Sequence, residues 1–260
     1  MRIRTPRSCI PACWISLWLT AVCGAAQDTS ALTAEELVRR IDRLYRADTS
    51  WARVEMQIVT PDWRRTLVME VWTEGLEKAL IRILEPARER GVGTLRIGSD
   101  MWNYLPKVNK IIRVPPSMMM SSWMGSDFTN DDLVKEYTFL EDYRFAFADP
   151  PEDADPDLVY IECIPREGLP VVWSSVLVAV KRESLLPVWQ RYFDEKGRLF
   201  RTMVYGEERR FGDRVLPSRL EMIPETKPGR KTVVRYLELK FGVKHPPDLF
   251  SLRTLREGVR

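Results

Sequence analysis

Thr66-Leu67-Val68-Met69-Glu70-Val71-Trp72-Thr73 decides how this chain folds. In an extended chain successive side chains point to opposite faces. Leu67, Met69 and Val71 therefore point one way, and Val68 and Trp72 the other. Both faces are apolar. The same holds downstream, where Trp173, Leu177 and Ala179 oppose Val172, Val176, Val178 and Val180, and where Val188 and Tyr192 oppose Trp189 and Phe193. A sheet with one wet face does not need this. Two arrangements fit: one face packs a helix while the other lines an apolar cavity, or ordinary core covers both sides.

Outward from this stretch, nearly everything reads as strand. Val54, Met56 and Ile58 alternate with Arg53, Glu55 and Gln57, a period of two. Similar runs cover about Arg64–Thr73, Lys78–Leu84, Gly93–Ile97, Met101–Leu105, Lys110–Val114, Thr138–Phe147, Leu158–Ile164, Val172–Arg182, Pro187–Asp194, Arg198–Glu207, Arg214–Ile223 and Lys231–Phe241. Turn chemistry at Glu74-Gly75, Asp194–Gly197, Gly212-Asp213 and Pro224–Gly229 separates them. Short strands joined by short turns predict an antiparallel meander. Asp149–Asp157 is a long acidic loop, and the strands on its two sides look alike, so residues 27–260 read as one domain.

One helix stands out, from Thr33 to about Arg46. Thr33 and Glu36 form a capping box, with Leu32 and Leu37 placed as a hydrophobic staple. Leu37, Val38, Ile41, Leu44 and Tyr45 fall on one face, which must lie on something.

The first 26 residues read as a secretory signal peptide. Arg2, Arg4 and Arg7 precede an apolar stretch from Ile10 to Val22, then Gly24-Ala25-Ala26. Cleavage is expected after Ala26; the alternative is cleavage before Cys23 with a lipid attached there. Without the leader the chain carries 37 basic and 37 acidic residues, a balance that gives no support to nucleic-acid binding. Three of the four cysteines also lie in the leader, so Cys163 alone remains and no internal disulfide can form. The reading predicts an exported, soluble, monomeric protein.

Catalytic parts are scarce. His245 is the one histidine and sits beside Pro246-Pro247, where it reads as a solvent-facing loop residue. One histidine cannot build a multi-histidine zinc site. No G-x-S-x-G elbow or Walker loop occurs, and Gly91-Val92-Gly93 lacks the rest of a dinucleotide fingerprint. Cys163 has Val159 and Ile161 on its face and reads as a buried, inert thiol. These observations predict no enzyme, no metal and no cofactor.

Asp100 to Leu133 is the distinctive segment. Trp102-Asn103-Tyr104-Leu105-Pro106 belongs to a strand pair. Met118, Met119, Met120, Trp123 and Met124 then make a Met-rich apolar piece ending at Gly125, and Thr129-Asn130-Asp131-Asp132 opens a short helix. Methionine is unbranched and adapts to varied apolar partners. The piece suits a lid over a lipid cavity, or it fills core beneath a loop.

Trp102–Pro106 together with Met124-Gly125-Ser126-Asp127-Phe128-Thr129-Asn130-Asp131-Asp132-Leu133 resembles the outer-membrane lipoprotein-sorting protein family, and more narrowly an uncharacterised branch of the LolA-like superfamily, over roughly Gly75 to Leu255. That resemblance implies an unclosed β-barrel: a mainly β fold with a few helices, whose strongly curved antiparallel sheet holds the helices in its concave face. It implies a periplasmic carrier whose apolar cavity holds lipid or the acyl chains of lipoproteins for transfer toward the outer membrane. Some members of the branch are associated with RND-type exporters, so the alternative is an envelope sensor or adaptor that contacts such an exporter and carries nothing. A hydrolase with an unrecognised carboxylate pair near Asp127–Asp132 is the third reading. The chain is longer than the familiar carriers, so none of their binding residues transfer. The expected lipid and lid residues are Trp102, Tyr104, Met118, Met119, Met120, Trp123, Met124 and Phe128. The expected motif residues are Pro106, Gly125, Ser126, Asp127, Asp131 and Asp132.

Overall fold

The computed structural model describes residues 32–135, 139–168 and 173–259. The leader, and the start of the strand expected from Val172, lie outside them. The chain runs α1 (Ala34–Tyr45), β1 (Thr49–Val59), β2 (Arg64–Glu74), β3 (Lys78–Glu85), β4 (Gly93–Ile97), β5 (Asp100–Leu105), β6 (Lys110–Arg113), α2 (Asn130–Lys135), α3 (Phe139–Asp142), β7 (Tyr143–Phe147), β8 (Leu158–Pro165), β9 (Ser175–Lys181), β10 (Pro187–Phe193), β11 (Leu199–Phe211), β12 (Arg214–Pro224), β13 (Lys231–Phe241) and α4 (Leu252–Glu257).

All thirteen strands form one antiparallel sheet in the order β6-β5-β4-β3-β2-β1-β13-β12-β11-β10-β9-β8-β7. It is two meanders joined through the first strand and the last, with Ala52 opposite Leu239 and Met56 opposite Val234. The sheet does not close: β6 and β7 are its two edges. Register shifts at Arg53/Val54, Val68/Met69 and Tyr192/Phe193 mark bulges, which bend a strand and deepen its twist. Both edges are guarded. β6 is four residues long, carries Lys110 and Arg113, and runs into Pro115-Pro116; β7 is followed by Pro150-Pro151.

The doubly apolar strands have different covers on their two faces. On the concave side Leu67 and Met69 join Val54, Met56 and Ile58 in one core. Val176, Val178 and Val180 pack there with Leu37, Val38 and Ile41 of α1. On the convex side Trp72, Leu80 and Leu95 lie under Leu249, Phe250 and Leu255 of the C-terminal segment. Farther along that side the acidic loop turns back over the sheet: the Asp155 amide donates to the Tyr160 hydroxyl (2.7 Å), Asp153 pairs with Arg191, and Arg191 stacks on Trp189. Helix, cavity, strap and loop thus share the work that the sequence left between cavity and core.

The α1 capping box forms as expected: the Glu36 amide donates to Thr33 Oγ1 (3.2 Å) and the Thr33 amide to Glu36 Oε2 (2.9 Å). At the other end Arg214 Nη1 donates to the carbonyls of Arg43 (2.9 Å) and Arg46 (2.6 Å), satisfying acceptors that the helix leaves open. Thr33→Ala should therefore cost about 1 kcal/mol, read as a lower thermal midpoint with unchanged native spectra.

Two local expectations change. Phe139–Asp142 is a helical turn, not strand, so only Tyr143–Phe147 of that run pairs in the sheet. Trp173 precedes β9 and escapes its alternation: it meets Tyr192 edge-on at 5.4 Å on the concave side, away from the convex face its parity implied.

Candidate functional site

The connection between the two edges of the sheet passes over the concave face. The chain leaves β6 at Arg113, and residues 114–135 are stapled to strand after strand before β7 begins. Trp123 Nε1 donates to Thr94 Oγ1 of β4 (3.2 Å), and Arg65 of β2 donates to the Met124 carbonyl. Asp127 accepts from Arg230 and from Thr232 Oγ1 (2.7 Å) at the head of β13. Asp132 accepts two bonds from Arg201 of β11, at 2.8 and 2.6 Å. Within the segment, Ser126 Oγ donates to the Trp123 carbonyl (2.7 Å) and Asn130 Nδ2 to the Met118 carbonyl (3.0 Å). Met124 and Gly125 both have positive φ, at 51° and 76°, so the turn before Ser126 is left-handed at two successive residues. Thr129 and Asp132 cap the start of α2 reciprocally. The Gly-Ser-Asp-Phe-Thr-Asn-Asp-Asp run is therefore a clamp built from hydrogen bonds.

Beneath this clamp lies a cavity of about 400 Å³. Its floor is Val54, Met56, Met69, Val71, Met203 and Met222. Val38 and Ile41 of α1, with Trp123, Phe128 and Leu133 of the clamp, form its roof. It shares Tyr45, Val71 and Leu133 with a smaller chamber of about 160 Å³ beside Met101 and Thr94. On the opposite side Phe128, Trp173 and Arg201 separate it from an outer groove of about 770 Å³. The lining is mixed: apolar over the sheet, with tyrosines and charged pairs around the rim. Volumes of this size, with a mostly apolar lining and a few placed polar groups, are those of small-molecule sites.

Arg201 is the electrostatic centre of the rim. Its side chain is 5% exposed and stacks between Trp173 (4.4 Å) and Tyr192 (4.5 Å). Burial pushes the Asp132 carboxyl up, but the hydrogen bonds and charge of Arg201, with help from Thr129, outweigh it and hold the group below its ordinary value. Arg201 behaves consistently: burial pulls it down and Asp132 more than restores it. Burial pushes the nearby Tyr143 phenol well up, so it stays a neutral donor.

Residues 75–257 match the model of a family described as "Uncharacterized protein". The chain belongs to that family. Its fold is LolA-like. A LolA superfamily protein from Nitrosomonas europaea aligns over 86% of this chain and 99% of its own, at 24% identity and a TM-score of 0.71. An outer membrane lipoprotein-sorting protein domain from Vibrio parahaemolyticus aligns over 86% and 98%, at 20% identity and 0.73. A DUF1329 family protein from Desulfovibrio piger aligns over 85% and 97%, at 21% identity and 0.75. No curated protein matches the sequence.

The structure does not bring the expected site residues together in one place. Trp123 and Phe128 line the main cavity, and Phe128 also faces the groove. Asp131 and Asp132 line the cavity rim, whereas Ser126 and Asp127 serve the clamp and border the groove. Met120 borders the groove and is 49% exposed; Met118 is 51% exposed, and neither it nor Met119 lines any of the three chambers. Met124 packs into the core beneath the clamp through its neighbours on the sheet. Trp102 and Tyr104 are elsewhere: they face the convex side and pack under the C-terminal strap, so as lining residues they are corrected. Pro106 opens the turn between β5 and β6. The sequence places Trp173 and Tyr192 only as apolar strand positions and does not mark Arg201; an arginine beside Phe200, with Met203 and Val204 just beyond, is the available signal.

The residues considered for catalysis also have places. Cys163 is wholly buried in the α1 core, and burial pushes its thiol up, which leaves it unreactive. His245 is not a free surface residue: its Nε2 lies 2.9 Å from the Thr73 carbonyl and its ring meets Phe250 edge-on, which anchors the strap to β2. Among the described residues no His, Cys, Asp and Glu group could hold a metal ion, and no helix is long and apolar enough to cross a membrane.

Proposed function

We propose that the protein is a periplasmic carrier that holds an acyl chain of a lipid or lipoprotein in the concave cavity, for transfer toward the outer membrane. The observation that carries this reading is the chamber between α1, the clamp and the sheet, floored by methionines and valines. The lipoprotein-sorting resemblance supports the direction of transfer. Each buried methylene contributes about 0.8 kcal/mol. Roughly ten of them supply about 8 kcal/mol gross, from which the cost of association is subtracted. Methionine floors also tolerate chains of different shape.

Native mass spectrometry of the protein purified from the periplasm should show a bound lipid. The delipidated protein should take up a fluorescent fatty acid, and Met203→Trp should reduce that uptake by filling the chamber. No bound lipid together with no uptake sinks the carrier reading. An empty cavity with a crosslinked envelope partner would put the adaptor reading in its place.

A further inference from the structure

The outer groove adjoins the inner cavity, and its chemistry differs. Phe128, Trp173 and Arg201 line both, so the two volumes abut along this one set of side chains. The groove wall carries Lys196, Arg198, Arg201 and Lys227 against Asp127, Asp194 and Glu195. Most of these charges are spoken for. Arg198 closes on Asp194 with bonds of 2.9 and 2.7 Å, Arg230 holds Asp127, and Asp132 holds Arg201. Lys196 and Lys227 are exposed and have no ion-pair partner among the described residues, and Glu195 is the single acid left over. The free balance is positive. At the junction the buried Nε of Arg201 has no hydrogen-bond partner among the described residues, although both Nη atoms do. A buried donor left unpaired is costly, and an acceptor oxygen from a ligand would relieve it.

We infer that the groove receives the anionic oxygen head of an amphiphile whose chain lies in the inner cavity. This inference rests on the carrier reading and adds the head-group class. The head sits over the Phe128–Trp173–Arg201 partition, its acceptor oxygens toward Arg201 and its charge toward Lys196 and Lys227. A neutral head of the same chain length loses the charge attraction and keeps the chain burial. A cationic head meets the positive balance and is disfavoured.

The test is displacement of an uncharged fluorescent acyl probe from the whole protein by dodecyl phosphate, dodecanol and dodecyltrimethylammonium, each below its micellar concentration. Dodecyl phosphate should bind roughly tenfold more tightly than dodecanol at low salt, and the gap should shrink toward about 1 M salt. The K196A/K227A variant changes two exposed turn lysines and should bind dodecanol as the natural chain does, while losing most of the preference for phosphate. K227E should reduce the preference further and relieve the penalty on the cationic head. Equal binding of phosphate and alcohol by the natural chain overturns the anionic head, as does a full preference surviving in K196A/K227A. If no amphiphile displaces the probe, or the probe itself does not bind, the carrier reading fails along with it.

Discussion

Asp132→Ala is expected to lower the stability of the folded chain by about 3 kcal/mol, seen as a fall in denaturant midpoint with little change in slope. Removing one partner of a buried ion pair costs about 3–5 kcal/mol because the other charge is left without compensation. Asp132 keeps 21% exposure of its side chain, which places the cost at the low end, but Arg201 keeps only 5% and would be stranded between two aromatic rings. The loss is not simply the worth of an attraction. Replacing both partners, Asp132→Leu with Arg201→Met, should recover most of it, since apolar residues of similar volume remove the buried charge as well as the pair. The pH dependence carries a definite sign. The folded-state pKa of Asp132 is lowered, so its contribution is complete above the ordinary carboxylate value, about 4, and drains away as pH falls through the lowered value. The difference in thermal midpoint between the natural chain and Asp132→Ala should hold steady from neutral pH down to about 4 and narrow below it. A difference that narrows on the alkaline side would assign the stabilisation to another group. Asp132 also ties α2 to β11, so the variant should exchange an acyl probe faster even where it remains folded.

This pair shows why the site was only half legible in the sequence. The local half was plain. The alternation in Arg53–Ile58, the Thr33–Glu36 capping box and the Thr129–Asp132 helix start all concern neighbours within a few positions, and all three form. The partners of the clamp are 69 positions away for Asp132 and 103 for Asp127. Nothing in a strand's own pattern says which distant carboxylate an arginine will meet. The doubly apolar strands were a correct signal of two covered faces, but the cover was not readable, because the strap over Trp72 and the loop over Tyr160 join the sheet through long-range contacts. The same blindness misplaced Trp102 and Tyr104. Period two puts them on the same face, opposite Met101, yet cannot say which of the two faces is concave. The Met-rich run reads as a lid over a cavity or as core filling beneath a loop, and either would turn its side chains inward. Met118 and Met120 are half exposed; the main chain of Met118 is fixed by bonds with Pro115, Ser121 and Asn130, not by burial of its side chain.

The convex strap makes the second strong prediction. Leu249 and Leu255 are 1% and 0% exposed and close over Trp72, Leu80, Leu95 and Tyr104. Truncating either leucine to alanine should cost about 2–5 kcal/mol, the transfer loss plus the cavity left behind. The spread depends on how far the strap can settle. Gly93 indicates that it already fits closely, since a Cβ there would come within 2.8 Å of the Leu255 side chain. Arg82 Nη1 also donates to the Leu255 carbonyl (3.2 Å), holding the last helix against β3. Deleting the strap from Lys244 onward is the larger perturbation. It uncovers a contiguous aromatic and aliphatic patch of the kind that soluble chains rarely leave open, so the shortened chain should self-associate or fail to accumulate. Leu255→Ala separates the two faces of the sheet. Because the strap lies on the convex side and the chamber on the concave side, this variant should lose stability in a denaturant titration while still binding an acyl probe with unchanged affinity at low temperature. Loss of binding in step with stability would mean that the sheet's curvature, and with it the chamber, depends on the strap.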